Sequence, residues 1–274
     1  MKRHKIFSAS SLGLLLITML CWSCTSDNEI KESTWQLVWS DEFEGPEGQS
    51  PDATKWTYDI GTDWGNAQLE WDTDRPENVS LDGEGNLVIT ARKESFAGSP
   101  FTSARIKTQG LFEQAYGKFE ARMQMPYGPG LWPAFWLLGG DIDEVSWPQC
   151  GEIDVMEYRG QEPNLIHGSI HGPGYSGGAA VTKSFGLANG RFDVGFHVYT
   201  IEWGEGYINF FVDGIPYQQI RPEDADGEWV YDHPFFIILN VAVGGNYVGF
   251  PTEQTIFPQR MLVDWVRVYK EVEN

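Results

Sequence analysis

The chain is poor in cysteine, in positive charge and in helical periodicity. Its 274 residues include only three cysteines, too few for a disulfide framework. Only 19 Lys and Arg stand against 39 Asp and Glu, a formal net charge of −20, which argues against nucleic acid as a partner and against polyanionic ligands in general. The longest apolar run, Leu12–Leu20, is too short to span a bilayer as a stable helix.

Glycine, proline and aromatic residues are abundant. The 31 Gly, 15 Pro and 14% aromatic residues predict many short strands joined by turns in a single domain. Apolar and polar residues alternate from Lys118 to Met125, and Asp213-Gly214 predicts a hairpin turn between two apolar segments. The residues alone therefore predict an all-β sandwich or barrel.

Three acids, Glu152, Asp154 and Glu157, interrupt an apolar, strand-forming segment near the middle of the chain. In a regular strand Glu152 and Asp154 would lie on one face and Glu157 on the other. A β-bulge near Val155-Met156 would return Glu157 to the first face, because a bulge inserts one unpaired residue. The spacing predicts three carboxylates on one face.

The separation of the two glutamates indicates a reaction type. With the bulge absorbed, their backbones lie about 13 Å apart, and the two side chains can span all but about 5 Å of that. Paired carboxylates about 5 Å apart are typical of retaining glycosidases, whereas inverting enzymes need about 6.5–9.5 Å. An exposed acidic strand or a calcium site is the alternative, but Trp132, Trp136 and Trp147 lie nearby in the sequence, and aromatic rings can cover the flat faces of sugars.

The segment Trp132–Tyr158 resembles the active-site strand of glycoside hydrolase family 16, on its laminarinase branch. The resemblance covers essentially residues 35–270. It extends to six further segments in the same order, which are Asp41–Phe43, Thr102–Ile106, Gly168–Gly172, Phe196–Tyr199, Asn240–Gly245 and Val263–Tyr269. It implies a catalytic domain over residues 35–271 with a concanavalin A-like jelly-roll fold: two curved antiparallel sheets, with a substrate cleft across the concave one.

The resemblance also implies roles for the three acids. Glu152 would be the nucleophile, and Glu157 would protonate the leaving oxygen and then activate water. Asp154 would share a proton with Glu152. Catalysis by these groups needs no cofactor.

Five sugar contacts follow from the same resemblance. Trp132 and Trp136 would stack on glucosyl rings, whereas Arg105, Asn66 and His171 would hydrogen-bond hydroxyl groups. A structural Ca²⁺ on the convex face, with Glu42, the backbone of Gly85 and Asp264 as ligands, is a further family expectation.

The first residues are typical of an exported lipoprotein. Residues 1–23 combine a basic start with the apolar run Leu12–Leu20, as in a secretory signal peptide. Cys24 follows and resembles a lipidated cysteine, at the start of a short linker over 24–34. The acidic Ser26–Glu29 segment resembles an export signal to the outer membrane and cell surface of Gram-negative bacteria. A soluble secreted enzyme is the alternative.

Removal of residues 1–23 would leave 16 Lys and Arg against 39 Asp and Glu, a net charge of −23. Such acidity favours a neutral β-glucan as substrate over a sulfated or uronate-rich polysaccharide. With Cys24 lipidated, Cys150 has no intrachain partner, and a small buried hydrophobe is its expected role. The expected state is a monomer whose contact with a membrane is its lipid anchor.

Two other functions stay open at this level. A surface glycan-binding lipoprotein would keep the aromatic residues but could lose an acid, and all three acids are present. A transglycosylase would pass the glycosyl group to a sugar, but such relatives typically lack the extra residue supplied here by Met156. The choice between β-1,3-glucan and mixed-linkage β-1,3/1,4-glucan depends on loops predicted to flank the cleft, at 59–73, 139–147 and 172–185.

Overall fold

The computed structural model describes residues 34–272, so the predicted signal peptide, Cys24 and nearly all of the linker lie outside it. The regular structure of this part is almost entirely β. In chain order the strands are β1 (Thr34–Asp41), β2 (Thr57–Asp59), β3 (Glu70–Asp72), β4 (Val79–Leu81), β5 (Leu87–Ala91), β6 (Phe101–Ser103), β7 (Arg105–Lys107), β8 (Gly117–Gln124), β9 (Leu131–Gly139), β10 (Glu152–Tyr158), β11 (Leu165–His171), β12 (Val181–Gly186), β13 (His197–Gly204), β14 (Tyr207–Val212), β15 (Ile215–Ile220), β16 (Phe235–Val243) and β17 (Gln259–Val272). Two short 3₁₀ helices span Gly177–Ala179 and Pro222–Asp224.

The strands form two large antiparallel sheets and one small parallel pair. The eight-stranded sheet has the order β15-β14-β13-β8-β17-β5-β4, with β1 also paired to β17. The seven-stranded sheet has the order β12-β11-β10-β9-β16-β7-β2, and β3 pairs with β6 in parallel. This arrangement confirms the predicted all-β, single-domain sandwich. In residues 34–272, no helix has the length and hydropathy needed to cross a membrane.

The hydrophobic core lies between the two large sheets. Strand β8 alternates buried and partly exposed residues along its whole length, as its sequence predicts, with Phe119 and Met123 fully buried. The hairpin prediction is also confirmed, because Val212 pairs with Ile215. Asp213 and Gly214 between them have φ angles of 50° and 76°, and two positive φ angles are what a type I′ hairpin turn requires.

Strand β16 is buried on both faces. One face packs against the core between the sheets, and part of the opposite face of the seven-stranded sheet is covered by a second, smaller cluster. All nine of its residues are buried. Alternate side chains face the main core, while Phe236 and Ile238 join Leu138 and Cys150 in a second, smaller cluster. Cys150 is fully buried, and burial raises the pKa of its thiol to about 12, so it behaves as the small hydrophobe expected from the sequence.

Candidate active site

A cleft of about 940 Å³ lies on the part of the seven-stranded sheet that the smaller cluster leaves open. It crosses the strands, taking side chains from β7, β9, β10, β11, β12 and β16. All three predicted flanking loops contribute to its lining, among other residues through Trp64, Trp147 and Gly177. The three predicted acids, Glu152, Asp154 and Glu157, line it together.

A bulge in β10 brings the three acids to this face. Asp154 and Met156 pair with consecutive residues of β9, so Val155 has no partner there. Against β11 the same register shift lies between Asp154 and Glu157. The bulge predicted from the sequence is therefore present. It turns Glu157 into the cleft, while Val155 and Met156 are buried in the core.

Glu152 and Asp154 are held at one side of the site by Trp147 and His171. The indole Nε1 of Trp147 donates a hydrogen bond to Glu152 Oε2 at 2.8 Å. His171 Nε2 lies 3.0 Å from Asp154 Oδ2 and 3.7 Å from Glu152 Oε1. The backbone N–H of Gly177 donates to His171 Nδ1 at 3.0 Å, so the proton of the neutral ring belongs on Nε2, facing the acids.

Glu157 is held at the other side by a second indole. Trp132 Nε1 donates to Glu157 Oε1 at 2.9 Å. The Trp132 ring lies 5.0 Å from the ring of Tyr247, and the Arg159 guanidinium lies 4.0 Å from the centre of that same tyrosine ring. Both glutamates thus have one carboxylate oxygen fixed by a tryptophan, which restricts their rotamers before any ligand binds.

Burial makes it costly for all three acids to be charged together. It raises the pKa of Glu152 to about 8, with a further contribution from Asp154. It raises the pKa of Asp154 to about 7, against a hydrogen bond from Glu152 that lowers it. The pKa of Glu157 is raised well above its usual range by burial and by the charge of Asp154. Glu157 therefore holds its proton more tightly than an exposed glutamate does, and Glu152 and Asp154 share one proton between them.

Arg105 and Trp136 form one wall of the cleft. Trp136 Nε1 donates to Asn240 Oδ1 at 2.8 Å. The Arg105 guanidinium lies 4.7 Å from the Trp136 ring and 5.1 Å from the Trp64 ring, and Arg105 Nε is 2.8 Å from Asp59 Oδ2. The arginine is thus built into the wall between two tryptophans, and it covers part of the Trp136 face.

Asn66 lies at the cleft in a loop whose shape depends on unusual backbone angles. Its φ is +55°, and its carbonyl accepts a hydrogen bond from the Asn246 N–H at 2.7 Å. The site also contains residues to which the sequence reasoning gave no role, namely Trp64, Arg159, Asn240 and Tyr247. Asn240 begins one of the segments that carry the family resemblance, whereas the others lie in or next to loops, where no periodicity indicates which way a side chain points.

Two of the three predicted calcium ligands are paired with arginines in this structure. Arg267 donates to both carboxylate oxygens of Glu42, at 3.0 and 2.8 Å, and Asp264 forms an ion pair with Arg122. Both carboxylates are thus neutralised by guanidinium groups. Gly85 lies in a turn with φ of +86°.

Within residues 34–272, one group of three acid, histidine or cysteine side chains is close enough to share a metal ion. It consists of Glu152, Asp154 and His171, whose ligand atoms lie within 4.8 Å of one another. The proton on His171 Nε2 faces the two acids and leaves no lone pair there for a metal. The arrangement fits a histidine facing two acids better than a metal centre.

Comparisons with known proteins agree with this geometry. The model of the glycosyl hydrolases family 16 matches residues 51–267. The chain is 39% identical over 286 residues to a beta-glucanase of Rhodothermus marinus, covering 100% of this chain and 98% of the relative.

Two solved structures superpose on most of the chain. The laminarinase catalytic domain of Thermotoga maritima MSB8 aligns with a TM-score of 0.82 at 46% identity, over 87% of this chain and 99% of that one. The endo-beta-1,3-glucanase of Pyrococcus furiosus aligns with a TM-score of 0.83 at 44% identity, over 88% and 96%. The bulged acidic strand, the cleft around it and these similarities together place the chain in glycosyl hydrolases family 16.

Proposed function

We propose that the protein is a retaining endo-β-glucanase that hydrolyses internal bonds of β-1,3-glucan, of mixed-linkage β-1,3/1,4-glucan, or of both. The observation that carries this proposal is the pair Glu152 and Glu157, brought to one cleft face by a one-residue bulge and each fixed by an indole N–H. The beta-glucanase and laminarinase relatives support the choice of substrate class. No cofactor is needed for this chemistry.

In the first step the Glu152 carboxylate attacks the anomeric carbon of the sugar that lies over it. Glu157, which burial keeps protonated, donates its proton to the departing glycosidic oxygen. The proton shared by Glu152 and Asp154 moves fully to Asp154, so that the nucleophile is ionised as it attacks. The products are a covalent glycosyl ester on Glu152 and a shortened glucan.

In the second step Glu157 acts as a base. Now ionised, it takes a proton from water as that water attacks the anomeric carbon and releases the Glu152 carboxylate. Two inversions at one carbon give net retention. Asp154 returns its proton to the shared position, and the site regains its starting charge.

The five residues predicted to contact substrate fall into two groups, according to whether the side chain is free to bind sugar or is already held by other protein groups. Trp132, Trp136, Asn66 and Arg105 line the cleft and are assigned to sugar rings and hydroxyl groups. We assign His171 to Asp154 and not to sugar, because a protein group faces each of its ring nitrogens. His171 in this role orients the acid that assists the nucleophile.

Product analysis tests the activity. The protein without its first 24 residues is expected to cut laminarin or barley mixed-linkage glucan rapidly into short oligosaccharides and to leave cellulose intact, while Glu152→Gln releases none. The relative rates on the two glucans identify the preferred one. Binding of both glucans without any cleavage would contradict the proposal and indicate a glycan-binding protein.

The pH profile of kcat/KM tests the roles of the two indoles. Because burial raises all three carboxyl pKa values, both limbs of the profile should lie above the ordinary carboxyl pKa of about 4.3. The hydrogen bond from Trp132 lowers the pKa of Glu157, and the bond from Trp147 lowers that of Glu152. Trp132→Phe should therefore move the alkaline limb to higher pH, and Trp147→Phe should move the acid limb to higher pH. Identical limb positions in both variants and the wild type would contradict these assignments.

We further propose that the protein is a lipoprotein of the outer membrane, exposed at the surface of a Gram-negative cell, with its lipid on Cys24. The apolar run before Cys24 and the acidic residues after it support this, and both lie outside the described residues. Labelled fatty acid should enter the wild type but not Cys24→Ser. Unlabelled wild-type protein would refute the anchor. The expected oligomeric state is a monomer.

Structural calcium bound by Glu42, Gly85 and Asp264 remains a prediction. Binding there requires Arg267 and Arg122 to release the two carboxylates. The thermal midpoint measured with Ca²⁺ and with a chelator tests it, and an unchanged midpoint counts against the site.

A further inference from the structure

Two acids are buried on the same side of β3, beneath one end of the cleft. Glu70 is 1% exposed and Asp72 is 2% exposed, while Trp71 between them points outward. A buried carboxylate is costly unless a cation or several hydrogen-bond donors compensate its charge. The surroundings of these two acids therefore decide how many charges they carry.

The charges around the pair do not balance. Arg105 is the cation whose charge acts on both Glu70 and Asp72. It is already paired with Asp59, at 2.8 Å, and Lys107 Nζ lies 2.6 Å from the other oxygen of Asp59. Three acids thus face two cations. One retained proton makes the group neutral.

The hydrogen bonds indicate which acid holds that proton. Glu70 Oε2 accepts a hydrogen bond from the Val243 N–H at 2.8 Å. Asp72 Oδ1 is buried and has no hydrogen-bond partner. Burial, and next the charge of Glu70, raise the pKa of Asp72 well above its usual range. An unpartnered oxygen is tolerated far better on a neutral acid than on a carboxylate, so the proton belongs on Asp72.

Asp72 lies under the cleft wall formed by Trp64, Arg105 and Trp136. Trp64 Nε1 approaches Asp72 without reaching hydrogen-bond geometry. The backbone groups of Asp72 pair with those of Gly61, at 2.7 and 3.0 Å, where the Trp64 loop begins. Asp72 is therefore tied to the start of this loop through its backbone and lies beside Trp64 through its side chain.

The same loop holds backbone conformations that need support. Asp63, Asn66 and Ala67 have φ angles of +67°, +55° and +58°. This left-handed region is unfavourable for residues with a Cβ, least so for Asp and Asn, and such conformations persist where the surrounding structure fixes them. The loop is therefore sensitive to a change beneath it.

We propose that Asp72 is a positioning residue for sugar binding: as a neutral acid it keeps Arg105 paired with Asp59 and stacked between Trp64 and Trp136, and its ionisation at alkaline pH loosens that wall. An added charge on Asp72 competes with Asp59 for the guanidinium and draws Arg105 out of the stack. Affinity is the quantity that reports on the wall. The charge of Arg105 also lowers the pKa of Glu152 on β10, so its displacement changes the pH dependence of kcat as well. The proposal rests on the proposed glucan hydrolysis.

Steady-state kinetics on laminarin tests the proposal, measured from pH 6 up to the highest pH at which the protein stays folded. In the wild type KM should rise about fivefold with pH, the scale of one cation–π contact. Asp72→Asn, a neutral side chain of the same shape, should keep the low KM at every pH, and its kcat at pH 6 should equal that of the wild type. Asp72→Ala should raise KM at every pH. Glu47→Gln removes one exposed acid and is the matched control, expected to follow the wild type. A KM profile shared by the wild type and Asp72→Asn overturns the proposal.

Thermal stability gives a readout that needs no substrate. The native state keeps the Asp72 proton at pH values where the unfolded chain has lost it, so this group makes the wild type less stable as pH rises from about 4, the unfolded Asp pKa, towards its raised native pKa. The midpoint of Asp72→Asn minus that of the wild type should therefore grow with pH over this window. If the difference between the two midpoints stays constant with pH, Asp72 is not neutral in the native state and the proposal is overturned.

A carbon NMR titration of the aspartate carboxyl groups in the wild type gives the same answer if the variants fail to fold. Two carboxyl groups that remain neutral above the ordinary range are expected, those of Asp154 and Asp72, and the absence of the second contradicts the proposal. If the protein did not hydrolyse glucan, only the kinetic test would be lost. The thermal and NMR measurements need no substrate, so they would still show whether Asp72 is neutral.

Discussion

Glu152→Ala and Glu157→Ala are each expected to lower hydrolysis of the preferred glucan by on the order of 10⁴-fold or more, because each removes a group that acts on the reacting bond. Loss of activity alone does not distinguish the nucleophile from the acid/base. Adding a small anionic nucleophile to each variant distinguishes the two roles. Azide can replace a missing carboxylate, and the configuration of the product reports which carboxylate is missing.

With Glu152→Ala, azide can attack the anomeric carbon directly from the face left open by the nucleophile. On an aryl β-glucan oligosaccharide, whose leaving group is easily released, this single displacement should give an α-glycosyl azide. With Glu157→Ala the glycosyl ester on Glu152 still forms, and azide should then attack in place of water. Two displacements give a β-glycosyl azide. The anomeric proton coupling in the NMR spectrum separates the two products.

Glu144→Ala is the matched control, because Glu144 is an exposed acid outside the cleft lining. Its activity should match that of the wild type, and azide should have no effect on it. If Glu152→Ala gave the β-azide, or Glu157→Ala the α-azide, the two roles would be exchanged. If neither variant lost activity, catalysis would depend on other residues.

The strand that carries both glutamates was predictable because its pattern can be read locally. The acids of this strand alternate with apolar residues until one extra apolar residue breaks the alternation, and a bulge at that point places all three acids on one face. The register shift at Val155 confirms this prediction. The alternation of β8 and the hairpin at Asp213-Gly214 follow from equally local rules. These features depend on neighbours in the sequence and need no knowledge of the packing.

Other features depend on packing between distant segments, and the sequence pattern can mislead there. Glu70-Trp71-Asp72 looks like a strand that buries its tryptophan and exposes its acids, yet the acids are buried and Trp71 is the residue that points outward. Arg105 on β7 and Asn240 on β16 meet because their strands pair, although 134 residues separate them. Trp64 enters the cleft from a loop with left-handed residues, and such a loop has no period from which its direction could be predicted.

Asp154→Asn is expected to slow hydrolysis by on the order of 10²–10³-fold with little change in KM, the scale of a lost proton-transfer partner. The amide keeps the shape of the carboxyl group, so packing in β10 should survive. It cannot accept the proton that Glu152 must release before attack. It also presents its N–H₂ group, or a carbonyl, to His171 Nε2, where the wild type presents an acid 3.0 Å away.

The pH profile distinguishes this explanation from a simple packing defect. Asp154 raises the pKa of Glu152 and of Glu157 through its charge, so removing that charge should lower both. Both limbs of the kcat/KM profile should then move to lower pH, and Asp143→Asn, an exposed acid outside the cleft lining, should move neither. A variant that merely disturbed the fold would lose activity at every pH with unchanged limbs. A shift of both limbs with an unchanged KM would identify Asp154 as the group that shares charge with the two glutamates, which is why three acids, and not two, are gathered on this strand.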